Sequence, residues 1–300
     1  MKKKKLDLFD ICNYIFMLLI LFITIYPLYF TVIASISDPK AVATGEVVWL
    51  PVGFTLDSYK QVFEYKPIWT GYANTILYTV CGTLFNLFLT IPAAYTLSKK
   101  YLPGKNILMG FFMVTMYFSG GMVPTYLLVK NLGLVNSRWA LIILGGISIY
   151  NLIVTKTFFS TGISESLYEA ARIDGAGEIR TFFSIAVPLA KPIIAVMLLY
   201  YAVAHWNDYF TALLYVNDRD LVPLQTVLRE VLIQNQSALD PEKMQRTMSE
   251  GELIDSAKRV YTAYAMKYSM VFIASAPLLA IYPFIQKYFV KGVMIGAVKE

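Results

Sequence analysis

The polar side chains best suited to binding a solute lie in one short run, His205-Trp206-Asn207-Asp208-Tyr209. Trp206 and Tyr209 offer aromatic faces for packing against a ring, and Asn207 and Asp208 offer groups that bond hydroxyls. The run follows an apolar stretch long enough to enter a membrane, where polar residues usually face a cavity. We therefore predict that these residues line a substrate pathway.

Two asparagines, Asn86 and Asn151, lie in other apolar stretches and are weaker candidates for the same pathway. An asparagine inside a membrane can also bond one helix to another. The aromatic run has alternatives too, because it could pack against a partner subunit or anchor at the membrane interface. The residues alone leave these alternatives open.

Patterns typical of catalysis or metal binding are missing from the sequence. His205 is the only histidine, and neither H-E-x-x-H nor G-x-S-x-G occurs. Cys12 and Cys81 form no C-x-x-C pair, so we expect no metal site and no cofactor. Gly104-Lys105 lacks the rest of a phosphate-binding loop. We expect a protein that is not an enzyme and that takes energy from a partner or an ion gradient.

The composition is that of a membrane protein. Of 300 residues, 57% are hydrophobic and 15% are charged, and the mean hydropathy is +0.55. Soluble domains carry about 25% charged residues. The net charge of +6 comes from basic residues beside apolar runs, so we expect contact with membrane lipid and no nucleic acid partner.

Six apolar stretches are long enough to cross a bilayer as helices, which needs about 20 residues each. We predict an all-α integral membrane protein with spans at about 12–36, 72–98, 107–129, 139–160, 193–214 and 265–287. The first run is too long for a cleaved signal peptide. Glycine and proline should interrupt or kink two spans. These residues are Gly120, Gly121 and Pro124 in the third span, and Pro277 and Pro283 in the sixth.

The basic residues predict the orientation, because lysines concentrate on the cytoplasmic side. An even number of spans puts three basic clusters there together, with both termini cytoplasmic. The clusters are Lys2–Lys5, then Lys99, Lys100 and Lys105, then Lys287, Lys291 and Lys299. Segments 37–71 and 215–264 are then extracytoplasmic loops, and 161–192 is cytoplasmic. We treat 1–300 as one transmembrane domain, with an exposed helix expected after Pro241.

The cytoplasmic segment 161–192 has the pattern of a short helix, a break and a second short helix. Ser166 and Glu169 have capping-box spacing, which indicates a helix start, and Gly175 and Gly177 break the helix. An apolar patch follows at Phe182, Phe183 and Ile185, before Pro188 and Pro192. A helix of small residues suits the groove of another protein, although a plain connector would have a similar pattern.

The segment resembles the signature loop, or EAA motif, of binding-protein-dependent ABC importer permeases. Glu169-Ala170-Ala171 is followed three residues later by Gly175, and nine residues after that by Ile185-Ala186-Val187-Pro188. The one departure is Val187, where the family pattern has leucine. Gly120-Gly121-Met122-Val123-Pro124-Thr125 and the tail 286–299 are similar to oligosaccharide permeases.

The resemblance implies the type I ABC importer permease fold and an oligosaccharide substrate. Its partners would be a second homologous permease in a heterodimer, two cytoplasmic ATPase subunits and an extracytoplasmic sugar-binding protein. The loop would be a coupling helix that docks on an ATPase subunit in the cytoplasm. Its docking residues would be Glu169, Ala170, Ala171, Asp174 and Gly175. The protein would then lie in the cytoplasmic membrane.

The main rival is an ion-coupled secondary transporter of a small polar solute. The expected kinks and Asp208 favour it, but the sequence has no inverted repeat and the signature loop would be unexplained. A membrane-embedded enzyme is a second rival, which the single histidine makes weaker.

Overall fold

The protein is all-helical in the part that the structure, a computed structural model, describes: residues 7–238, 261 and 264–283. The helices are α1 (Leu8–Ser35), α2 (Pro39–Ala43), α3 (Asp57–Glu64), α4 (Lys66–Ser98), α5 (Lys105–Tyr117), α6 (Met122–Asn131), α7 (Arg138–Ile143), α8 (Ile149–Thr161), α9 (Glu165–Ile173), α10 (Glu178–Leu189), α11 (Lys191–Trp206), α12 (Phe210–Tyr215), α13 (Leu224–Ala238) and α14 (Tyr264–Pro283). A π-helical turn, Phe182–Ala186, lies within α10.

Three sequence predictions lie outside the described residues. They are the basic start at Lys2–Lys5, the helix expected after Pro241, and the tail motif at 286–299. The end of the sixth predicted span, beyond Pro283, lies outside as well.

Three described helices, α1, α4 and α14, are long and apolar enough to cross a membrane. Two bent pairs bring the number to five if each counts as one span: α5 with α6, bent by 112°, and α10 with α11, bent by 79°. α14 continues through Pro277 without interruption, so this proline does not break the sixth predicted span.

The third and fourth predicted spans are not continuous helices. The third breaks at Gly120 and Gly121 as predicted, and Gly121 has a φ of +89°, which favours glycine. The fourth was expected at 139–160 without a break, but it consists of α7 and α8 with residues 144–148 between them. An apolar run does not reveal such a break, because its partners lie far away in the sequence.

The fifth predicted span, 193–214, is wrong at its outer end. α11 ends at Trp206, and a separate short helix, α12, begins at Phe210. Asn207, Asp208 and Tyr209 therefore form a link between helices rather than the last turn of a span.

Contacts divide the chain into two compact units, one formed by Met1–Ile68 and Leu228–Ala276 and the other by Trp69–Val227 and Pro277–Glu300. In the first unit, most side chains of α1 are exposed and apolar, as a helix facing lipid requires. The end of α1 packs Ile33 and Ala34 against Ala41, Val42 and Val47.

The core of the second unit forms where α4, α8 and α11 meet. Leu152 and Phe159 of α8 and Met197 of α11 are fully buried there against Ala94 of α4. Close packing of these helices fixes α4 relative to the segments that follow α8 and α11, and both candidate sites below lie at their ends or breaks.

The start of α13 is held tightly against α4 in the same unit. Thr75 Oγ1 accepts a hydrogen bond of 2.8 Å from the Leu224 backbone N–H. A Cβ added to Gly71 would lie 3.0 Å from the Leu224 Cα, so glycine permits this close approach. Asn74 also donates to the carbonyls of Asp220 and Val222. The described start of the 215–264 segment is therefore an ordered, helical part of the fold.

Candidate functional site

The helix-turn segment, residues 164–177, contains the first part of the predicted signature loop, 161–192, including Glu169 to Gly175. Its helix, α9, begins at Glu165 with Ser164 as the N-cap, and no side chain makes the capping bond. The capping box predicted at Ser166 and Glu169 is therefore wrong. The Ser166 hydroxyl instead lies 2.7 Å from the Ser164 hydroxyl, so it is not available to cap a helix.

The predicted break after α9 occurs at Gly175. α9 ends at Ile173, and Gly175 has a φ of +75°, in the left-handed region that side chains with a Cβ rarely adopt. A Cβ added there would meet no atom within 4 Å, so the requirement for glycine is one of backbone conformation alone. Gly177 has an ordinary φ of −67° and precedes α10.

The two faces of α9 have different environments. Glu165, Tyr168 and Arg172 are spaced by three and four residues, which puts them on one face. All three contact the residues that end α4 or follow it: Glu165 pairs with Lys100 at 2.7 Å, and Arg172 lies over the Tyr101 ring at 4.8 Å. α9 is thus attached to the end of α4 through this face.

A buried lysine forms the centre of this attachment. The Lys99 ammonium lies 3.3 Å from the centre of the Tyr168 ring and 4.1 Å from that of Tyr95, and its side chain is almost fully buried. Burial lowers the pKa of Lys99 below its ordinary value, although the charges of Glu178 and Glu165 oppose that shift. Burial, with a smaller effect of Glu165, raises the pKa of Tyr168 to about 12, so its ring stays neutral beside the ammonium.

Glu178, the first residue of α10, ties the far side of the turn to α4. Its carboxylate accepts hydrogen bonds from the hydroxyls of Tyr101 at 2.5 Å and Tyr95 at 3.3 Å. Burial and then this carboxylate raise the pKa of Tyr101 above its ordinary value. The turn at Gly175 is therefore held at both ends by one short stretch, residues 95–101.

The outward side of α9 is exposed. Ala170, Ile173 and Asp174 are accessible there, and Ile173 is 86% accessible. Glu169 is exposed as well, but it lies four residues after Glu165, at the edge of the attached face, where its charge acts on Lys100. Of the predicted docking residues, only Ala171 is buried within the chain itself. A rigidly held helix that presents small, acidic and apolar groups outward has the chemistry of a docking surface.

The second candidate site, the polar cavity, is a space of about 670 Å³ in the second unit. Its lining comes from the break between α5 and α6, the break between α7 and α8, and the link after α11. Polar members of the lining are Asn86, Ser119, Thr125, Ser148, Asn151, Tyr201, His205, Asp208 and Thr211.

Asn86 makes three hydrogen bonds in the wall of this cavity. Its amide group donates to the carbonyls of Gly145 and Gly146 at 3.1 and 2.8 Å, in the break between α7 and α8. Its oxygen is then the acceptor for the N–H at Nε2 of His205, at 2.7 Å. Asn86 therefore bonds three helical segments together, which is the alternative that the sequence left open.

Gly82 allows His205 to lie against α4. A Cβ added to Gly82 would lie only 2.4 Å from two atoms of the imidazole ring. The sequence run had included His205 without giving it a role, since nothing in the local pattern indicates a partner 119 residues away. Tyr201 was missed as well. Its hydroxyl lies 2.7 Å from that of Thr90 and accepts from the Ser148 N–H at 3.3 Å.

Two more predicted pathway residues line the cavity, Asn151 and Asp208. Asp208 is half-buried, and one carboxylate oxygen accepts from the Thr211 N–H at 3.0 Å, in the first turn of α12. The Asn151 side-chain amide makes no hydrogen bond to the rest of the described chain. Of the predicted pathway residues in this site, these two have capacity left for a ligand.

The other three predicted pathway residues lie elsewhere. Trp206 is buried, with its ring edge-on to Tyr72 at 6.0 Å between ring centres. Asn207 is exposed and donates to the Val203 carbonyl. The Tyr209 carbonyl accepts from the Thr226 hydroxyl at 3.4 Å. None of these three lines the polar cavity.

Comparison with a protein family gives a match over most of the chain. The family is described as "Binding-protein-dependent transport system inner membrane component", and it matches residues 66–295. The matched range includes the helix-turn segment and every residue that lines the polar cavity.

Individual relatives match along nearly the whole chain. Protein LplC of Bacillus subtilis is 42% identical over 97% of this chain and 95% of that protein. The polygalacturonan/rhamnogalacturonan transport system permease protein YtcP, also of Bacillus subtilis, is 39% identical over 97% of this chain and 98% of that one. A solved structure of a bacterial ABC transporter involved in the import of the acidic polysaccharide alginate aligns with a TM-score of 0.83 and 30% identity, covering 96% of this chain and 99% of that one.

We expect Gly82→Ala to destabilise the protein, because the added methyl displaces His205 and breaks its bond to Asn86. Overpacking of this kind costs about 1–3 kcal/mol. The measurement is the midpoint of thermal unfolding in detergent. Gly110→Ala is the matched control: its Cβ meets no atom within 4 Å, so it should leave the midpoint unchanged or raise it. A Gly82→Ala midpoint equal to that of Gly110→Ala would contradict the packing described here.

We expect Glu178→Ala to loosen α9, because two tyrosine hydroxyls lose their common acceptor. A hydrogen bond to a charged group contributes about 1.5–3 kcal/mol, so backbone amides of Glu165–Ile173 should exchange with deuterium about tenfold faster or more. Arg180→Ala, an exposed change on the same turn, is the control. Unchanged exchange in α9 would mean that Glu178 does not hold the segment.

Proposed function

This chain belongs to the family of binding-protein-dependent transport system inner membrane components, and from that membership we propose that it is the membrane-spanning subunit of an ATP-driven ABC importer of an oligosaccharide. The family makes it a transport component rather than a catalyst. The proposed mechanism rests on one structural feature. In the helix-turn segment, α9 is attached to residues 95–101 on one face and is exposed on the other.

Coupling to an ATPase follows from that arrangement. Glu169, Ala170 and Asp174 present a small, acidic surface that an ATPase subunit can cover, while Gly175 shapes the turn. Ala171 supports the surface from inside by packing within the chain. Motion of the docked ATPase then passes into α4 through the Lys99 and Glu178 contacts, and ATP shifts the population between inward-open and outward-open states.

The proposed topology keeps six spans with both termini in the cytoplasm, in the type I ABC importer arrangement. The long helices α1, α4 and α14 supply three spans, the bent pair of α5 and α6 supplies a fourth, and α11 supplies a fifth, with α10 in the cytoplasmic segment. The pair α7 and α8 supplies the sixth, since Asn86 bonds the carbonyls at its break. The helix-turn segment lies beside the end of α4, the start of α5 and the end of α8. Residues 99–105 and 161–192 would therefore lie on the same side of the membrane, which is the cytoplasmic side in this topology.

The proposed assembly has a second, homologous permease subunit, two cytoplasmic ATPase subunits and an extracytoplasmic sugar-binding protein, in the cytoplasmic membrane. The described sequence between 215 and 238 begins with an ordered turn and α13, which suits contact with the binding protein on the outer side. The rival of ion-coupled transport needs none of these subunits, so their recovery separates the two functions.

Asn151 and Asp208 are the proposed sugar contacts of this chain, and the polar cavity is its part of the pathway. Most polar groups of the lining are hydroxyls and amides, and no lysine or arginine is among the described residues there. This lining suits the hydroxyls of an uncharged sugar. One relative is named for polygalacturonan and rhamnogalacturonan, and a similar solved structure for the acidic polysaccharide alginate. An acidic substrate would need cationic side chains, which the second permease would have to supply.

We expect Glu169→Lys to abolish recovery of the ATPase with the affinity-purified chain in mild detergent, because it reverses an exposed acidic charge of the docking surface. Glu64→Lys, an exposed reversal in the 37–71 segment, is the control. Normal ATPase recovery and sugar uptake with Glu169→Lys would remove the coupling assignment. Recovery of the wild-type chain alone, still able to move solute, would favour ion-coupled transport.

The turn itself is tested by two replacements of Gly175. Valine resists the left-handed conformation, at a cost of about 1–3 kcal/mol, whereas asparagine tolerates it. We expect Gly175→Val to reduce ATPase recovery strongly and Gly175→Asn to reduce it much less. Equal loss in both variants would show that docking excludes any side chain at this position, rather than needing the turn.

We expect Asn151→Ala to raise the sugar concentration for half-maximal uptake about tenfold, since one buried hydrogen bond contributes roughly 1 kcal/mol or a little more. Thermal stability and subunit assembly should stay close to those of the unchanged protein. Trp206→Ala is the comparison: with its ring buried against Tyr72, it should lower stability and transport together. Unchanged uptake in Asn151→Ala would exclude Asn151 from the pathway.

A further inference from the structure

A second, smaller cavity of about 220 Å³ lies where α4 ends, α5 begins and α8 ends. Four lysines line it: Lys99, Lys100, Lys105 and Lys156. The volume equals that of roughly seven water molecules, which is more than one phosphate group needs. We call this space the lysine pocket. ATPase docking, as proposed above, uses Lys99 in the attachment of α9, but neither it nor sugar transport gives Lys105 or Lys156 a role.

The positive charge of the lysine pocket is not balanced within its lining. Glu165 is the only carboxylate in the lining, and it pairs with Lys100 at 2.7 Å. The Lys105 ammonium reaches only the backbone carbonyl of Lys99, at 3.4 Å. No carboxylate of a described residue lies within 4.0 Å of the ammonium groups of Lys99, Lys105 or Lys156.

Nearby helix ends do not remove this charge. The C-terminal ends of α4 and α8 lie at the pocket with about −0.5 charge each, and the N-terminal ends of α5 and α9 lie there with about +0.5 each, so their effects largely cancel. The lining lysines outnumber the lining carboxylate by three, and Glu178, outside the lining, offsets part of this charge at Lys99, so a net charge of about +2 remains. An anion with one or two negative charges would neutralise the site.

Burial of Lys99 adds to the argument for a bound anion, because this residue is only 8% exposed and its ammonium has lost most of its water. The faces of Tyr95 and Tyr168 attract its ammonium, but a buried charge costs more than ring faces return unless an ionic or hydrogen-bonding partner is present. Lys105 and Lys156 are half-buried, so their ammonium groups also lose part of their water. The pocket thus holds partly desolvated cations.

The surface next to the pocket is apolar and exposed. Ile107, Leu108 and Phe111 of α5 are exposed within two turns of Lys105, and α5 packs against α8. A ligand that meets both surfaces carries a negative charge at one end and hydrocarbon at the other. A basic pocket between spanning helices is the kind of site that binds lipid headgroups.

We propose that the lysine pocket binds the phosphate of an anionic phospholipid headgroup, with the acyl chains lying along the exposed face of α5. Inorganic phosphate shares the headgroup chemistry but gains nothing from the apolar surface. The inference requires only that the chain lies in a membrane; it does not depend on the sugar or on the coupling residues. Because Lys99 and Lys100 contact Tyr168 and Glu165, the lipid would stabilise the attachment of α9.

The test is lipid retention by the full-length chain, purified in mild detergent from vesicles of mixed phosphatidylglycerol and phosphatidylcholine and examined by native mass spectrometry. We expect phosphatidylglycerol to be retained selectively. Lys105→Gln and Lys156→Gln should each weaken retention about fivefold, the contribution of one lysine near an anionic membrane surface. Lys191→Gln, the same charge change at an exposed lysine outside the pocket, should have no effect.

Lys156→Arg keeps the charge and should restore retention, which separates loss of the site from loss of the fold. Equal retention of phosphatidylglycerol by wild type and both glutamine variants would overturn the proposal. Displacement of the lipid by millimolar inorganic phosphate, with equal thermal stabilisation, would keep the phosphate chemistry but remove the lipid as its source. Loss of ATPase recovery in the glutamine variants with lipid retention unchanged would assign the lysines to an acidic protein partner instead.

Discussion

A backbone amide or carbonyl that loses its helical partner inside a membrane finds no water there, so each break in a spanning helix needs a protein group as a substitute. Asn86 supplies that substitute for the carbonyls of Gly145 and Gly146, and Tyr201 supplies it for the Ser148 N–H. Asp208 does the same for the Thr211 N–H. The polar groups that bond the broken backbone also line the cavity. The helix breaks and the polarity of the cavity therefore have one cause.

The same helix, α4, contributes to both candidate sites. Gly82 and Asn86 meet His205 in the cavity wall, while Tyr95 and the residues just past its end hold the helix-turn segment. Nine residues separate Asn86 from Tyr95, or about 14 Å along a helix. Because helix interiors are stiff and the α4–α8–α11 core is close-packed, a displacement at one end of α4 is transmitted to the other. The coupling proposed above, between docking at α9 and the polar cavity, would use this stiffness of α4.

Some of this architecture follows from local sequence and some does not. Gly175 and Gly120-Gly121 were predictable because glycine at a break reflects a backbone requirement within a few residues. The start of α9 was misplaced because Ser164 and Ser166 are both acceptable caps by type. The break at 144–148 was not predictable, since its partners are Asn86 and Tyr201, far away in sequence. The end of α11 was missed because residues 206–210 contain neither glycine nor proline. Trp206 illustrates a further limit: in an apolar span both helix faces are hydrophobic, so periodicity cannot distinguish a lining position from a packed one.

The lysines after α4 bear on both the membrane topology and a binding site. Their number is enough to predict a cytoplasmic side, because the positive-inside rule counts basic residues near a span and ignores their environment. Exposed lysines would satisfy it equally well, and Lys100 is such a residue. Lys99 is not, because its ammonium is enclosed by two tyrosine rings and carries a desolvation cost that orientation does not require. The Lys99 charge is buried at a cost in free energy, beside a cavity and next to an apolar surface. A bound anion explains this position better than membrane topology alone.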